Sequence, residues 1–321
     1  GDVMGSATIG IGAPGVDAAG TDRGATYLVT GPISGDVSLS TAIEISGRGD
    51  GDSVGRAMSV GDLDGDSQDD LLIGVLDEDD GVVYLLGPVT ASQDLSANDG
   101  TLLGTLSGED AGAALMGTGD LNGDSVGDLL VGAPSSDFGG TDAGMTYAVY
   151  GPISGDESLR RAADVVLYGE AAGDEAGVSV ALAGDVTGDG VSDLLIGAWG
   201  NDTAGADAGA AYLLSGPVSG VVALAAADVI WTGVAADDGA GYALSGAGDV
   251  NGDGIDDLLI GGPFSGTLLN GTAWLVLGST SATGTLSLAG AEASFTAEAE
   301  GDLAGVTVAS AGDVNADGLD D

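Results

Sequence analysis

The stretch GDVNGDGIDDLLIGGP, residues 248–263, joins a dense group of acids to an apolar run. Asp249, Asn251 and Asp253 alternate with other residues, and Asp257 follows four residues after Asp253. Side-chain oxygens at positions 1, 3, 5 and 9 of a short loop, with a backbone carbonyl at position 7, suit calcium, which takes six to eight hard oxygen ligands. The stretch therefore predicts a cation loop that leads directly into a buried strand.

The same motif occurs five times along the chain. The first residues of the five copies are Asp62, Asp120, Asp185, Asp249 and Asp313. Consecutive copies are separated by 58, 65, 64 and 64 residues. We number these loops in chain order: 62–70, 120–128, 185–193, 249–257 and 313–321. A fixed period of this length indicates tandem structural repeats.

Five residues of each loop are candidate calcium ligands, four through their side chains and the residue at position 7 through its backbone carbonyl. They are Asp62, Asp64, Asp66, Gln68 and Asp70; Asp120, Asn122, Asp124, Val126 and Asp128; Asp185, Thr187, Asp189, Val191 and Asp193; Asp249, Asn251, Asp253, Ile255 and Asp257; and Asp313, Asn315, Asp317, Leu319 and Asp321. We expect about one Ca²⁺ per loop, up to five. Because Thr187 replaces the acid at position 3, the third site should be the weaker one.

Each repeat contains four short apolar runs, such as 164–169, 178–184, 194–199 and 210–216, bounded by Gly, Asp and Ser, which is typical of strands. Aromatic residues with the same period are expected in the core: Tyr27, Tyr84, Tyr147, Tyr212 and Trp274. Four-stranded units of about 60 residues in tandem favour a propeller over a solenoid. The sequence thus predicts an all-β fold, with residues 1–321 forming a single β-propeller domain of four-stranded blades.

Five repeats are visible, and the blade number stays open. The run ATIGIGAP, residues 7–14, resembles the strand that should follow the fifth loop, so the N-terminal strand would complete the last blade of a closed ring. The alternative is that the chain is part of a longer array, for example of seven blades. The opening residues GDVM lack the later ligands, so we expect no cation site there.

The charge balance excludes several classes of partner. There are 51 acidic residues against five basic ones, and the net charge is −46, so neither nucleic acid nor an anionic membrane is an expected partner. Cys and His are absent, which removes thiol nucleophiles and the usual zinc sites. No apolar run approaches 18 residues, so we expect no membrane insertion. No glutamate stands in a recognisable catalytic constellation, so we predict no catalytic residues and no enzymatic activity.

A specific family pattern joins these features. Three apolar strands end in Gly12-Ala13-Pro14, Gly132-Ala133-Pro134 and Gly261-Gly262-Pro263, and the last two of them follow an acidic loop. In this the chain resembles the FG-GAP repeat family, the integrin-α-type calcium-binding β-propeller, and the resemblance extends over essentially the whole sequence. Two departures stand out. Ala316 replaces a loop glycine, and the Phe-Gly of the family is Val54-Gly55, Ala111-Gly112, Ala176-Gly177, Ala240-Gly241 and Ala304-Gly305, so packing there should be looser or filled from elsewhere.

The resemblance implies a non-enzymatic, calcium-stabilised module at the cell surface or outside the cell, acting in adhesion or as a scaffold, here in a prokaryote. A protein or glycan partner is expected on the loops that differ between repeats, residues 15–24, 135–144, 199–209 and 264–271. Two alternative functions stay open. In the first, the chain is the propeller of a secreted hydrolase or lyase; in the second, it is a self-assembling unit of a surface layer or filament.

Overall fold

A computed structural model describes residues 8–17, 21–76, 80–106, 108–266 and 269–321. Within these residues the chain folds almost entirely into strands, which form five sheets of four or five strands each. The predicted all-β class is confirmed, and the architecture is consistent with a β-propeller of FG-GAP-like repeats. None of the described helices is long and apolar enough to cross a membrane.

The first two sheets come from the first 158 residues. The first sheet has the strand order β1-β2-β3-β7, with β1 Thr8–Ala13, β2 Ala25–Thr30, β3 Ile43–Ser46 and β7 Gln93–Asp94. The second has the order β12-β8-β6-β5-β4, with β4 Ala57–Gly61, β5 Asp70–Val75, β6 Val82–Leu86, β8 Gly100–Leu103 and β12 Glu157–Ser158. Neighbouring long strands are antiparallel, as short hairpin connections require.

The third sheet has the order β17-β13-β11-β10-β9, with β9 Ala114–Gly119, β10 Asp128–Ala133, β11 Met145–Val149, β13 Val165–Tyr168 and β17 Gly220–Ala223. The fourth has the order β14-β15-β16-β18-β22, with β14 Ser179–Gly184, β15 Asp193–Ala198, β16 Ala210–Leu214, β18 Val229–Thr232 and β22 Gly284–Ser287. The fifth has the order β19-β20-β21-β23, with β19 Ala243–Gly248, β20 Asp257–Gly262, β21 Thr272–Val276 and β23 Ala293–Thr296. The short helices are α1, Leu159–Ala162, and three 3₁₀ turns at Leu39–Thr41, Leu224–Ala226 and Leu288–Gly290.

The grouping of strands into sheets differs from the sequence-based unit. The four predicted runs 164–169, 178–184, 194–199 and 210–216 are strands, but the first is β13 of the third sheet, while the others are β14, β15 and β16 of the fourth. A further outer strand was not predicted: β22 pairs in parallel with β18, from Val229↔Gly284 to Thr232↔Ser287. The outer strands that pair in parallel, β7, β12, β17 and β22, are two to four residues long and mostly exposed. Their sequences therefore show no hydrophobic pattern.

Three of the strands that follow the acidic loops are completely buried. Every residue of β5, β10 and β15 is buried, on both faces of the strand. The apolar runs DLLIG and DLLVG have no polar alternation, which is typical of a strand covered on both sides. In these sheets the acidic loop therefore leads directly into a fully buried strand.

The chain divides into two compact units, and each is described by itself. The first consists of Gly1–Asp120, Asp124–Val131 and Tyr147–Asp164, and the second of Leu121–Gly123, Gly132–Thr146 and Val165–Asp321. In the first, a core packs between the first and second sheets, with Leu28, Ile45, Ile73 and Tyr84 fully or almost fully buried. In the second, a core packs between the fourth and fifth sheets around Leu195, Trp231 and Ile260. The prediction of one domain over residues 1–321 stays a prediction.

Four of the five positions that lack the family's phenylalanine are tightly packed. Val54, Ala111, Ala176 and Ala240 are completely buried, whereas Ala304 is half-buried. A Cβ atom on Gly197 of β15 would collide with the carbonyl oxygen of Gly241, so the backbones of successive sheets touch there. Of the two expectations for this position, filling from elsewhere is right, because close backbone approach takes the place of the missing ring.

Two expectations about the chain ends have different outcomes. Strand β1 pairs in full register with β2 of its own sheet, from Thr8↔Thr30 to Ala13↔Ala25. Residues 306–321 form no strand, so closure of the ring by the N-terminal strand stays a prediction. The segment GDVM, where we expected no cation site, lies outside the described residues.

Candidate calcium loops

The aspartate at position 1 organises the backbone of every loop. In the fourth loop, the Asp249 carboxylate accepts hydrogen bonds from the backbone N–H groups of Gly252 at 2.7 Å, Asp253 at 3.1 Å and Gly254 at 2.8 Å. In each of the other loops, the position 1 carboxylate accepts two bonds of the same kind, between 2.8 and 3.1 Å long. These bonds, first that from Gly254, lower the pKa of Asp249 because they stabilise its charged form.

The residue at position 5 holds the second half of the loop. The Asp253 Oδ1 atom accepts the backbone N–H of Ile255 at 3.0 Å, and the equivalent bond is present in all five loops, between 2.8 and 3.0 Å. The position 7 residue thus donates its N–H inside the loop. Its predicted role as a ligand through the carbonyl oxygen stays a prediction.

The aspartate at position 9 ties the loop to the strand that it opens. Asp193 and Asp257 are fully buried. The Asp257 carboxylate accepts the N–H of Val250 at 3.1 Å from within the loop and the N–H of Gly278 at 2.8 Å from beyond β21. A buried carboxylate must be hydrogen-bonded to be tolerated. The position 9 aspartate therefore has a structural role, to anchor the loop by hydrogen bonds, whether or not a cation is bound.

Burial changes the acidity of these position 9 groups. It raises the pKa of Asp70 and of Asp193 to about 6, and it also raises the pKa of Asp257. Neighbouring loop carboxylates add to the effect, since two like charges disfavour each other. A divalent cation among these oxygens would oppose both causes, because it favours the charged form.

The first loop brings its acids closest together. One carboxylate oxygen from each of Asp62, Asp64 and Asp66 lies within 4.8 Å of the others. Ligand oxygens on opposite sides of a calcium ion are about 5 Å apart at the usual bond lengths of 2.3–2.6 Å. An oxygen that accepts one N–H bond keeps a further lone pair. The residues of this loop therefore fit a hard divalent cation, which would neutralise part of their mutual repulsion.

Among the four side-chain ligand positions, position 3 is the one that varies between loops. Asp64 accepts the N–H of Asp66 at 3.0 Å, and Asn315 accepts the N–H of Asp317 at 2.8 Å. In the third loop, the backbone N–H of Thr187 donates to buried Asp193 at 3.0 Å instead. The backbone is still anchored there, but the oxygen that an Asp or Asn would offer is replaced by a hydroxyl.

The structure also joins successive loops, which we did not predict. Asp185 donates its N–H to the carboxylate of Asp256 in the next loop at 2.8 Å, and Asp256 returns its N–H to the Asp185 carbonyl at 3.2 Å. Asp249 and Asp320 repeat this exchange at 3.1 and 3.3 Å. In the second loop position 8 is Gly127, which makes the backbone bond alone. The signal in the sequence is the doubled acid at positions 8 and 9.

A second set of carboxylates was missed because it lies outside the loops. Its buried members are Asp52, Glu109, Asp174 and Asp238. Asp238 accepts the N–H groups of Val234 and Ala235, both at 2.8 Å, and closes a tight turn. The visible signal is an acid two residues before each Val-Gly or Ala-Gly pair. Burial raises the pKa of Asp174, and its carboxylate accepts the backbone N–H of Ala171 at 3.0 Å.

Three of the four loops expected to differ between repeats share one turn. In each, the N–H of an aspartate donates to the Oδ1 atom of an aspartate five residues earlier, at 2.7–2.9 Å: Asp22 to Asp17, Asp142 to Asp137 and Asp207 to Asp202. The loop 264–271 has no such pair of acids. These three loops therefore share one Asp-closed turn and differ in the side chains around it.

The periodic aromatic residues lie largely in the core, as predicted. Tyr84, Tyr147, Tyr212 and Trp274 are at most 4% exposed, and Tyr27 is half-buried. Tyr147 donates its hydroxyl to buried Glu109 at 2.8 Å, and burial followed by the charge of Glu109 raises the pKa of Tyr147. This pair is sealed from solvent, so it resembles a satisfied core contact more than a reactive one.

Comparison with known proteins agrees with this architecture. The FG-GAP repeat family matches residues 54–86, 111–149 and 240–276, which contain the first, second and fourth loops. The third and fifth loops lie outside these segments but make the same hydrogen bonds at positions 1 and 5. The chain therefore carries FG-GAP repeats, and the resemblance recognised from the sequence is confirmed.

Individual relatives point the same way. The chain is 29% identical to integrin alpha-PS2 of Drosophila melanogaster over 247 residues, 74% of this chain and 17% of the relative. It is 29% identical to integrin alpha pat-2 of Caenorhabditis briggsae over 244 residues, 68% and 18% respectively. It is also 34% identical to phosphatidylinositol-glycan-specific phospholipase D of Bos taurus over 169 residues, 47% and 18%. The chain spans less than a fifth of the length of each of these relatives.

Proposed function

We propose that this chain is a non-enzymatic, calcium-stabilised binding module that works outside the cell or at its surface, in adhesion or as a scaffold. The observation that supports it most is the recurrence of one acidic loop five times, with the same hydrogen bonds at positions 1 and 5, and with an apolar run directly after each of the first four copies. Up to five Ca²⁺ ions would brace these turns, and the hairpin loops would present side chains to a protein or glycan partner. The similarity to integrin alpha chains supports the adhesion role.

A calcium titration of the purified chain tests the proposal. Metal-free protein should bind about one Ca²⁺ per loop in calorimetry, and its melting temperature should rise with calcium, because a ligand that binds only the folded state stabilises it. Magnesium should be a poorer substitute because it prefers octahedral sites with several waters. A melting curve that calcium does not move would contradict the proposal.

A matched pair of variants separates loop binding from bulk charge. Asp66→Asn removes a carboxylate from the closest acidic group, while Asp36→Asn removes one from an exposed position outside the loops. We expect the first to reduce the calcium-dependent rise in melting temperature and the second to leave it unchanged. Equal effects would mean that calcium acts through general screening of a chain with net charge −46.

The similarity to a phospholipase D favours one alternative: a propeller that accompanies a secreted hydrolase. On this reading the chain would position a catalytic domain on its substrate. Incubation of the chain with a glycosylphosphatidylinositol-anchored protein and with phospholipid vesicles would decide between the two. Binding of the chain to either substrate without release of product would favour this alternative, because on this reading catalysis belongs to another domain; release of product by the chain would contradict the non-enzymatic proposal.

A further inference from the structure

A cleft of about 620 Å³ lies in the second compact unit, away from the acidic loops. Two aromatic side chains, Trp199 and Phe264, line it together with Ala236 and the acids Asp207 and Asp237. This volume is within the range of sites that enclose small organic molecules. The cleft therefore has the size of a ligand site, and its lining indicates the chemistry of the ligand.

The aromatic part of the cleft is an ordered cluster. The rings of Trp199 and Phe264 meet edge to face at 5.6 Å between centroids, and Tyr242 packs against both from behind, at 6.4 and 5.5 Å. The Trp199 indole N–H donates to Glu175 at 2.7 Å, which holds the ring orientation. The cluster contains three of the 13 aromatic residues in the chain. All three are half-buried, so ring surface remains accessible.

The local sequence is adapted to make this cluster. Trp199 stands where the second repeat has Pro134 of its Gly-Ala-Pro motif. Gly239 stands directly before Ala240, where three other repeats have Ser53, Asp110 and Glu175. A Cβ atom on Gly239 would collide with the ring of Phe264. Trp199 thus contributes a large ring that the second repeat lacks, and Gly239 leaves room for the ring of Phe264.

Charge around the cleft has one sign. The five arginines, Arg23, Arg48, Arg56, Arg160 and Arg161, all belong to the first compact unit, and the chain has no lysine or histidine. The second unit therefore contains no basic side chain at all. Asp207 and Asp237 are exposed at the cleft, while Asp238 is buried and accepts two backbone N–H groups. Such a surface attracts cations and repels anions.

The lining also discriminates between kinds of cation. Among the lining residues that the structure describes, the one side-chain donor is the Trp199 N–H, which Glu175 already accepts. Asp238 is committed to the backbone, and the remaining acceptors, Asp207 and Asp237, are exposed at the rim, so a primary ammonium ion held against the rings would turn some of its N–H groups towards surfaces without a lone pair, at a cost in desolvation. A quaternary ammonium has no N–H groups and is attracted to the faces of Trp and Phe.

We propose that this cleft binds a small quaternary ammonium compound, with the cationic group against Trp199 and Phe264 and the acids Asp207 and Asp237 at the rim. The inference rests on the proposed role of the chain as a binding module and names a ligand class for it. It does not depend on the calcium loops, so the two ideas can fail separately.

Choline and its neutral carbon isostere 3,3-dimethylbutan-1-ol are a matched pair of probes. Each is titrated into the full chain by calorimetry, in calcium and at low ionic strength. We expect choline to bind about tenfold more tightly, which is the order of a cation–aromatic contact in a desolvated site. Equal affinity, or no choline binding at millimolar concentration, would overturn the proposal.

Variants locate the effect. Trp199→Leu should weaken choline binding about tenfold, and Asp237→Asn should weaken it a few-fold in a salt-dependent way. Phe138→Leu is the control, because Phe138 is 44% exposed on another hairpin and packs edge-on against Tyr168 at 5.3 Å. The calcium-dependent melting temperature reports folding of each variant independently. If Trp199→Leu does not fold, Asp237→Asn provides the test, because Asp237 is exposed. An unchanged choline affinity in Asp237→Asn would contradict the proposal.

Discussion

The first and third acidic loops have the same length and nearly the same internal hydrogen bonds, but different acids. The first contains Asp62, Asp64, Asp66, Asp69 and Asp70, whereas the third contains Asp185, Asp189 and Asp193. In both loops the carboxylates at the three shared positions, 1, 5 and 9, accept backbone N–H groups, and among the additional acids of the first loop Asp64 accepts one from Asp66. The comparison distinguishes two roles. The carboxylates at positions 1, 5 and 9 shape the turn in both loops, and the additional acids of the first loop raise the local negative charge that a cation would neutralise.

The largest expected effect is at position 9, where the two loops should behave alike. Asp70→Ala and Asp193→Ala each leave buried backbone N–H groups without an acceptor, so each should lower the free energy of unfolding by about 3 kcal/mol. Urea denaturation of both variants measures this. Asp36→Ala, which removes an exposed acid outside the loops, is the control and should cost less than 1 kcal/mol. A small effect of Asp193→Ala would mean that the third loop is held by other contacts.

The acidity of the same two carboxylates should make the metal-free protein sensitive to pH. Their folded pKa of about 6 lies above the ordinary 3.8, so the folded state binds protons more tightly than the unfolded state. Stability should therefore fall as pH rises from about 4 to 7, by up to about 3 kcal/mol for each of the two carboxylates. Saturating calcium should reverse the slope because the cation competes with protons. Denaturation of resin-stripped protein at several pH values, with and without calcium, checks this; a metal-free protein that gains stability with pH would contradict it.

Position 3 should distinguish the loops in calcium affinity. Asp64→Ala in the first loop should weaken calcium binding by about tenfold, because a charged ligand is lost, whereas Thr187→Ala in the third should change it little. The reverse substitution, Thr187→Asp, should strengthen binding at the third loop. Calorimetric titration of the three variants orders these effects. Equal losses from Asp64→Ala and Thr187→Ala would break the distinction between the loops.

The smallest expected effect concerns position 6, where the loops differ in backbone strain. Ser67 has a φ of 69° in the first loop, and Gly190 has a φ of 88° in the third. Left-handed backbone costs a residue with a Cβ about 1 kcal/mol, so Ser67→Gly should stabilise the chain by about 0.5–1 kcal/mol, and Gly190→Ser should destabilise it similarly. Ala316, at position 4 of the fifth loop, has a φ of 60°, so Ala316→Gly should also stabilise the chain. Melting temperatures that do not move in opposite directions for Ser67→Gly and Gly190→Ser would rule out strain as the cause.

Much of the fold was predictable because it depends on local repetition. The period of the aspartates indicated the repeats, and the uninterrupted apolar run after each loop indicated strands covered on both faces, as in β15. The grouping of strands was not predictable. Whether β13 joins the strands before or after it depends on contacts between distant residues, and both choices satisfy the same hydrophobic pattern. The parallel strand β22 was missed because its four exposed residues have no pattern to detect.

The acidic loops were predictable for the same reason, while the aromatic cleft was not. Each loop is nine residues long, so the spacing of its acids limits which oxygens can meet. The cleft is assembled from Trp199, Phe264 and Asp237, which are up to 65 residues apart in the chain. Gly239 looked like one more glycine among 62 until the Phe264 ring was placed beside it.

By itself, the sequence determined the all-β class, the period of the repeats and the position of the acidic turns, since those follow from spacing and composition within short segments. The tertiary structure alone decided which strands share a sheet, which carboxylates are buried and which side chains meet around the cleft. The physical reason is that hydrogen bonds inside a turn are set by neighbouring residues, whereas burial and charge environment are set by whatever the folded chain brings alongside.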